Sequence, residues 1–184
     1  MSIEYLWTKN IKMPTFPSLK GTVNTDVLII GGGMAGVLCA LRLKEAGVDY
    51  VLAEGKTVGG GITKGTTAVL TAQHDTLYQD IVKKFGEEKA CLYLKANLDA
   101  VNEFGELSRK IPCDFERKPS FMYTLYDGEK LDKEAKTLKR LGFNASFTRK
   151  TPLPFKVAGA VKFPEMAQFH PLKFLSSAVK GLNI

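Results

Sequence analysis

The sequence is poor in the residues that build metal centres. It has three cysteines, Cys39, Cys91 and Cys113, and two histidines, His74 and His170, all far apart, with no CxxC pair. That spacing argues against a zinc site or an iron–sulfur cluster, so no metal ligands are assigned. The cysteines are expected to be small buried hydrophobes of a protein kept in a reducing cytosol. Long apolar runs are also missing. The opening MSIEYLWTKN does not resemble a signal peptide, and no stretch reaches membrane-spanning length. A cytoplasmic protein without a membrane partner is the expectation. Basic residues are in excess, with a formal net charge of +7, yet they are scattered. Pairs such as Lys83-Lys84 and Lys139-Arg140 are not joined into a stripe alternating with stacking aromatics, which argues against a nucleic-acid partner. A basic surface of this kind is better suited to steering anionic ligands.

What is present is globular. Of the 184 residues, 45% are apolar and 24% charged, enough for one domain, or one domain with a small insertion. Residues 1–24 form an arm with Pro14 and Pro17, expected to be irregular and laid across a surface. Residues 26–30 then form a run that is apolar throughout after Asp26, which predicts a parallel strand covered on both faces. Met34, Val37, Leu38 and Leu41 follow at helical spacing, Gly47 supplies a stop, and residues 50–53 predict a second strand. This is a βαβ unit of minimal size.

Residues 55–75 read as loop, and 76–110 as helix with a break at Phe85-Gly86. Along that helix Leu94, Leu98, Val101, Phe104 and Leu107 make one core-facing stripe. Strands are expected near 120–126, 146–149 and 157–163, and a short helix closed by Gly142 carries Leu131, Ala135, Leu138 and Leu141. A last helix is predicted from Pro171 to Gly181. The change of character near residue 76 marks the expected boundary. The divisions are an arm (1–24), a dinucleotide-binding βαβ unit with its Gly/Thr loop (25–75), a helical and β part (76–164) and a return helix (165–184).

The chemistry concentrates in Gly31-x-Gly33-x-x-Gly36. Gly31 permits a tight turn out of the strand, Gly33 lets the backbone approach a pyrophosphate, and Gly36 lets helix and strand pack closely. The helix N-terminus, with Met34 and Ala35, presents free N–H groups to the phosphates. Glu54 ends the second strand, where a carboxylate can accept both ribose hydroxyls of an adenosine and repels a 2′-phosphate. These features specify a dinucleotide and leave NAD and FAD both open.

The run from Thr25 to Glu54, followed by GGGITKGTTAVLTAQHD at 59–75, resembles the amino half of the D-amino acid oxidase-type FAD-dependent oxidoreductases. More narrowly, it is similar to a bacterial branch in which some members carry a C-terminal Rieske domain. PTFPSLKG in the arm, YLKANLDAV in the long helix and AGAVKFPEMAQFHPLKFL near the end extend the resemblance over nearly the whole chain. It implies an α/β (α+β overall) fold, with a Rossmann-like FAD/NAD(P)-binding domain interrupted by an inserted substrate domain. It also implies that Gly31, Gly33, Met34, Ala35 and Gly36 contact the pyrophosphate of FAD and Glu54 the adenosine ribose. Gly61, Ile62, Thr63, Thr66 and Thr67 would line the path towards the isoalloxazine.

The substrate class implied is an amine or amino acid oxidised by hydride transfer to flavin, with oxygen or an electron-acceptor protein as partner. His74 follows the flavin-facing loop, so a role near the ring is one reading; His170, before Pro171, is expected to cap or pack. Neither histidine has a recognisable nucleophile or carboxylate partner, and catalytic residues are left unassigned. Relatives of this type continue beyond the return helix, so an incomplete flavin site is expected, and the Rieske CxH and CxxH pair is not present. Two rival readings accompany this one: an NAD-dependent dehydrogenase, and a truncated dinucleotide-binding fragment without activity.

Overall fold

The computed structural model describes residues 4–184. In chain order it contains β1 (Val27–Ile30), α1 (Met34–Glu45), β2 (Tyr50–Ala53), β3 (Val69–Leu70) and the long α2 (Leu77–Lys110). There follow β4 (Glu116–Arg117), β5 (Ser120–Thr124), α3 (Glu129–Arg140), β6 (Ser146–Thr148), β7 (Gly159–Phe163), β8 (Ala167–Gln168) and α4 (Pro171–Ala178). Short 3-10 turns occupy Leu6–Thr8 and Ile62–Gly65. The chain divides into two compact units, one comprising Met1–Ala68, Ser108–Phe115 and Phe169–Ile184, the other Val69–Leu107 and Glu116–Gln168.

The first unit is built on the predicted βαβ crossover. β1 and β2 pair in parallel, with Val27 opposite Tyr50 and Ile30 opposite Ala53. Between them α1 buries Val37 and Ala40. Arg42 and Lys44 in its last turn oppose the negative end of the helix, and Gly47, at φ 68°, turns the chain out of it. Tyr50, Val51 and Leu52 of β2 are all buried. On the far edge of β2, the Leu52 amide donates to Asn183 O at 2.9 Å and the Asn183 side-chain amide to Tyr50 O at 2.8 Å. The expectation for β1 needs correcting. Only one of its faces is covered, because Leu28 and Ile30 are 56% and 84% exposed. Side chains alternate along a strand; Ile29 points inwards, while no described residue covers the other face.

The second unit contains two antiparallel three-stranded sheets, ordered β3-β8-β4 and β5-β7-β6. Its core gathers Tyr78 and Leu94 of α2, Leu131 and Leu138 of α3, and Phe163 and Met166 around β7. The predicted stripe on α2 buries Leu94, Val101 and Phe104, and the helix breaks at Gly86, which adopts φ 83° and ψ 169°. Glu134 of α3 is fully buried; its carboxylate accepts the amides of Tyr78 and Gln79 at 2.8 and 3.1 Å, so one helix caps another.

The cysteine expectation holds only for Cys113, which is buried, and whose thiol pKa is pushed up by desolvation. Cys39 and Cys91 are exposed, although the Cys91 thiol lies 3.9 Å from the Leu141 carbonyl oxygen. No helix among the described residues is long and apolar enough to cross a membrane.

Candidate dinucleotide-binding site

The site grows out of the turn that follows β1. The Gly31 amide closes the last parallel bond onto Ala53 O at 2.8 Å, and the chain then turns with Gly31 at φ 108°. This backbone conformation strongly favours glycine. At Gly36 a Cβ would fall 2.0 Å from the Gly31 carbonyl oxygen, so even alanine is excluded by backbone. Gly33 is different. Its nearest neighbour to a Cβ is the Thr63 hydroxyl at 3.5 Å, an ordinary contact, so no protein atom fills the space in front of it. Gly33 is also the N-cap of α1, and the Val37 amide donates to its carbonyl at 3.0 Å.

Glu54, one residue beyond β2, lies beside this turn. Its two carboxylate oxygens accept the Gly32 and Lys56 amides, each at 2.8 Å. Each oxygen keeps a further lone pair. Glu54 lines two neighbouring clefts. One, of about 350 Å³, is bounded by Gly33, Lys56, Thr57, Gly61, Ile62 and Thr63. The other, of about 370 Å³, lies between residues 52–58 and the arm, where Pro14, Phe16 and Leu19 form a wall together with Ile184.

The Gly/Thr loop reaches the same place. Gly59, at φ 70°, packs so tightly that a Cβ would sit 2.9 Å from both Leu172 and Leu175. Its amide donates to Gly32 O at 2.9 Å, pinning the loop to the turn. Thr63 is buried, and its hydroxyl accepts the Met34 amide at 3.3 Å, at the N-terminus of α1. Thr66 donates its hydroxyl to the Thr63 carbonyl at 3.3 Å. Ile62 is 89% exposed, and Thr66 and Thr67 are exposed as well.

Gly33, Glu54, Gly61, Ile62 and Thr63 thus share one cleft, and Met34 and Thr66 join it through Thr63. Gly31 and Gly36 shape the turn from behind, while Ala35 and Thr67 lie outside the cleft lining. Sequence reasoning missed Lys56, Thr57 and Gly60, and it gave the arm no part in a site. Pro14-Thr-Phe-Pro17 carried a signal only through its resemblance.

His170 acts as the cap of α4; its Nδ1 accepts the Lys173 amide at 3.2 Å. His74 belongs to the second unit, where the Tyr93 hydroxyl lies 3.1 Å from its Nδ1. Among the described residues no group of three His, Cys, Asp or Glu is placed to hold a metal ion. The cleft beside Glu54 brings together small residues, the Thr63 hydroxyl and a carboxylate acceptor, and the amides of Gly32, Met34 and Lys56 around it already donate to Glu54 and Thr63.

Comparison with known proteins gives the family of the chain. The chain is 32% identical over 183 residues to the Bacillus subtilis (strain 168) protein YhfW, named for a Rieske 2Fe-2S iron–sulfur protein, a match covering 97% of this chain and 36% of that one. It is 22% identical to the gamma-glutamylputrescine oxidoreductase of Escherichia coli (strain K12), over 94% of this chain and 43% of that one. Among solved structures, the L-proline dehydrogenase of P. horikoshii superimposes with a TM-score of 0.67 at 16% identity, over 85% of this chain and 41% of that one. The chain thus spans less than half the length of these relatives. Residues 26–183 match the family described as FAD dependent oxidoreductase, and the chain belongs to that family.

Proposed function

We propose that this chain provides the FAD-binding βαβ unit and part of the substrate domain of a flavoenzyme that oxidises an amine or amino acid. The reading rests above all on Gly33, open in front, and Glu54, which line the same cleft. Two relatives named for gamma-glutamylputrescine and L-proline support the substrate class.

FAD fits what is there. A side chain at Gly33 would fill space that no protein atom takes, which is what a cradle for a pyrophosphate requires. Gly31, Gly33, Met34, Ala35 and Gly36 would hold the pyrophosphate against the first turn of α1. Glu54, already oriented by two amides, would accept the ribose hydroxyls through its remaining lone pairs. The cleft walled by Phe16 and Leu19 adjoins Glu54 and offers apolar surface of the kind an adenine stacks against. Gly61, Ile62, Thr63, Thr66 and Thr67 would continue towards the ring end. Bound flavin supplies the acceptor for a hydride from a substrate C–H. The chain's own residues bind and orient it, and oxygen or an acceptor protein completes the turnover.

The test is Gly33→Val in the full chain. Valine there should remove FAD binding while circular dichroism and the thermal midpoint stay near those of the parent. A variant that retained parent-level flavin would remove the Gly31–Gly36 turn from the phosphate site. Anaerobic bleaching of bound flavin by a panel of amines and amino acids, set against 2-hydroxy acids, tests the substrate class.

A further inference from the structure

We propose that Trp7, in the N-terminal arm, is a positioning residue of the cofactor site, holding the Gly/Thr loop in the shape that receives the flavin half of FAD. This rests on the reading of residues 61–67 as part of that site.

The loop needs an external hold. The loop is pinned to the turn at Gly59, but Gly61 and Gly65 leave its later part with a large backbone entropy, and Ile62, Thr66 and Thr67 lie exposed. The arm supplies that hold at one defined point. The Trp7 indole N–H donates to the Thr66 carbonyl oxygen at 2.8 Å, across 59 residues of sequence. Tyr5 packs beside it: the Lys64 ammonium lies 4.9 Å from its ring centroid, and a Cβ on Gly65 would come within 3.1 Å of its ring. From Thr66 the connection continues inwards, its hydroxyl donating to Thr63 O and the Thr63 hydroxyl accepting the Met34 amide, each at 3.3 Å. Three hydrogen bonds in series therefore join the arm to the first turn of α1. Trp7 is itself fixed edge-on against His170, with ring centroids 5.1 Å apart, so the donor sits on the helix α4 cap.

The geometry of the peptide group gives this bond a direction. A trans peptide is planar, with its C=O and N–H pointing opposite ways. Anchoring the Thr66 carbonyl on Trp7 therefore turns the Thr67 N–H away from the arm. That amide becomes a fixed donor, available to a polar atom of the ring end of FAD. ADP lacks that end, so the contribution of Trp7 should separate the two ligands.

The experiment compares FAD and ADP binding by the full chain, its Trp7→Phe variant and the Gly33→Val variant. Phenylalanine keeps a smaller aromatic ring beside His170 and removes the donor. Loss of one neutral hydrogen bond should weaken FAD roughly two- to tenfold and ADP less, since two further hydrogen bonds separate Trp7 from the phosphate turn. Trp7 is the sole tryptophan, so the parent protein has a single indole N–H resonance. FAD should shift it and slow its solvent exchange, and ADP should do so much less. An unchanged ratio of FAD to ADP affinity, an equal loss of both, or an indole signal indifferent to FAD would overturn the assignment of Trp7. If the variant does not fold, the indole resonance of the parent decides alone. If the parent binds neither ligand, or Gly33→Val leaves both affinities intact, the dinucleotide reading itself fails and this proposal with it. Loss of binding in Gly33→Val with an unchanged ratio in Trp7→Phe removes Trp7 only.

Discussion

The carboxylate of Glu54 and the amide of Gly32 meet at 2.8 Å, tying the end of β2 to the middle of the glycine turn after β1. The second oxygen holds Lys56 N at the same distance, so the acid is oriented before any ligand arrives. Charge-assisted bonds of this kind contribute about 1.5–3 kcal/mol each. Glu54→Gln replaces one acceptor oxygen by an NH2 group that faces an amide, and it leaves a neutral, weaker acceptor for the ribose. Affinity for FAD and for ADP should fall together, at least about tenfold, with some loss of thermal stability. Calorimetric titration with both ligands is the measurement. An unchanged dissociation constant would remove Glu54 from the ribose site.

The glycines of the turn should divide into two classes under the same substitution. Gly36→Ala drives a Cβ to 2.0 Å from a backbone oxygen, and backbone at a strand end cannot step aside cheaply. The expected cost is at least about 1–3 kcal/mol, the usual range for overpacking. Gly33→Ala meets only the Thr63 hydroxyl at 3.5 Å, so its urea midpoint should stay near that of the parent. Equal destabilisation by the two would contradict the turn geometry described here.

Legibility in the sequence followed the range of the interactions. β2 runs from Tyr50 to Ala53 as its apolar pattern indicates, and α1 starts at Met34 and is left through Gly47, because local chemistry sets those limits. Gly86 broke its helix where an isolated glycine in a helical pattern suggested. The burial of β1 was misread. An apolar run shows that a strand can be covered on both faces, not that it is, and Leu28 and Ile30 are exposed. The arm was legible only as irregular chain. Trp7 reaches Thr66 across 59 residues, and Phe16 comes beside Glu54 through a path that no periodicity encodes. The buried Glu134 was equally hidden, since in sequence it is one charge among several on α3.

Glu134 offers a test of the second unit. It is 0% exposed, and its carboxylate accepts Tyr78 N, Gln79 N and the Gln79 side-chain amide, at 2.8, 3.1 and 2.9 Å. Glu134→Ala would leave two amides at the start of α2 without this acceptor. Each buried, unsatisfied group costs about 1–3 kcal/mol. The variant should lose several degrees of thermal midpoint, and amide exchange at Tyr78 and Gln79 should accelerate. Glu134→Gln, which keeps one oxygen, should fall between the two. A parent-like midpoint for the alanine variant would show that this cap contributes little.

His170 makes part of the stability of the first unit depend on pH. Its Nδ1 caps α4 by accepting the Lys173 amide at 3.2 Å, which requires that nitrogen to be unprotonated. Burial, and then the nearby Lys173 charge, lower the pKa of the imidazole from its ordinary value of 6.5, with Asp114 opposing them. A folded-state pKa below the unfolded one means that the unfolded chain takes up the proton more readily. The contribution of His170 is therefore complete above about pH 6.5 and is lost as pH falls through the lower, folded-state value. An N-cap contributes about 1 kcal/mol, which bounds the effect. Urea unfolding of the parent and of His170→Asn, followed from neutral to mildly acidic pH, separates this group from the carboxylates common to both. Asparagine caps a helix without titrating, so the variant should lose less stability on acidification than the parent. Parallel profiles for the two proteins would show that the imidazole does not cap α4 in solution. In that case the edge-on contact of Trp7 with His170 would also lack its fixed platform.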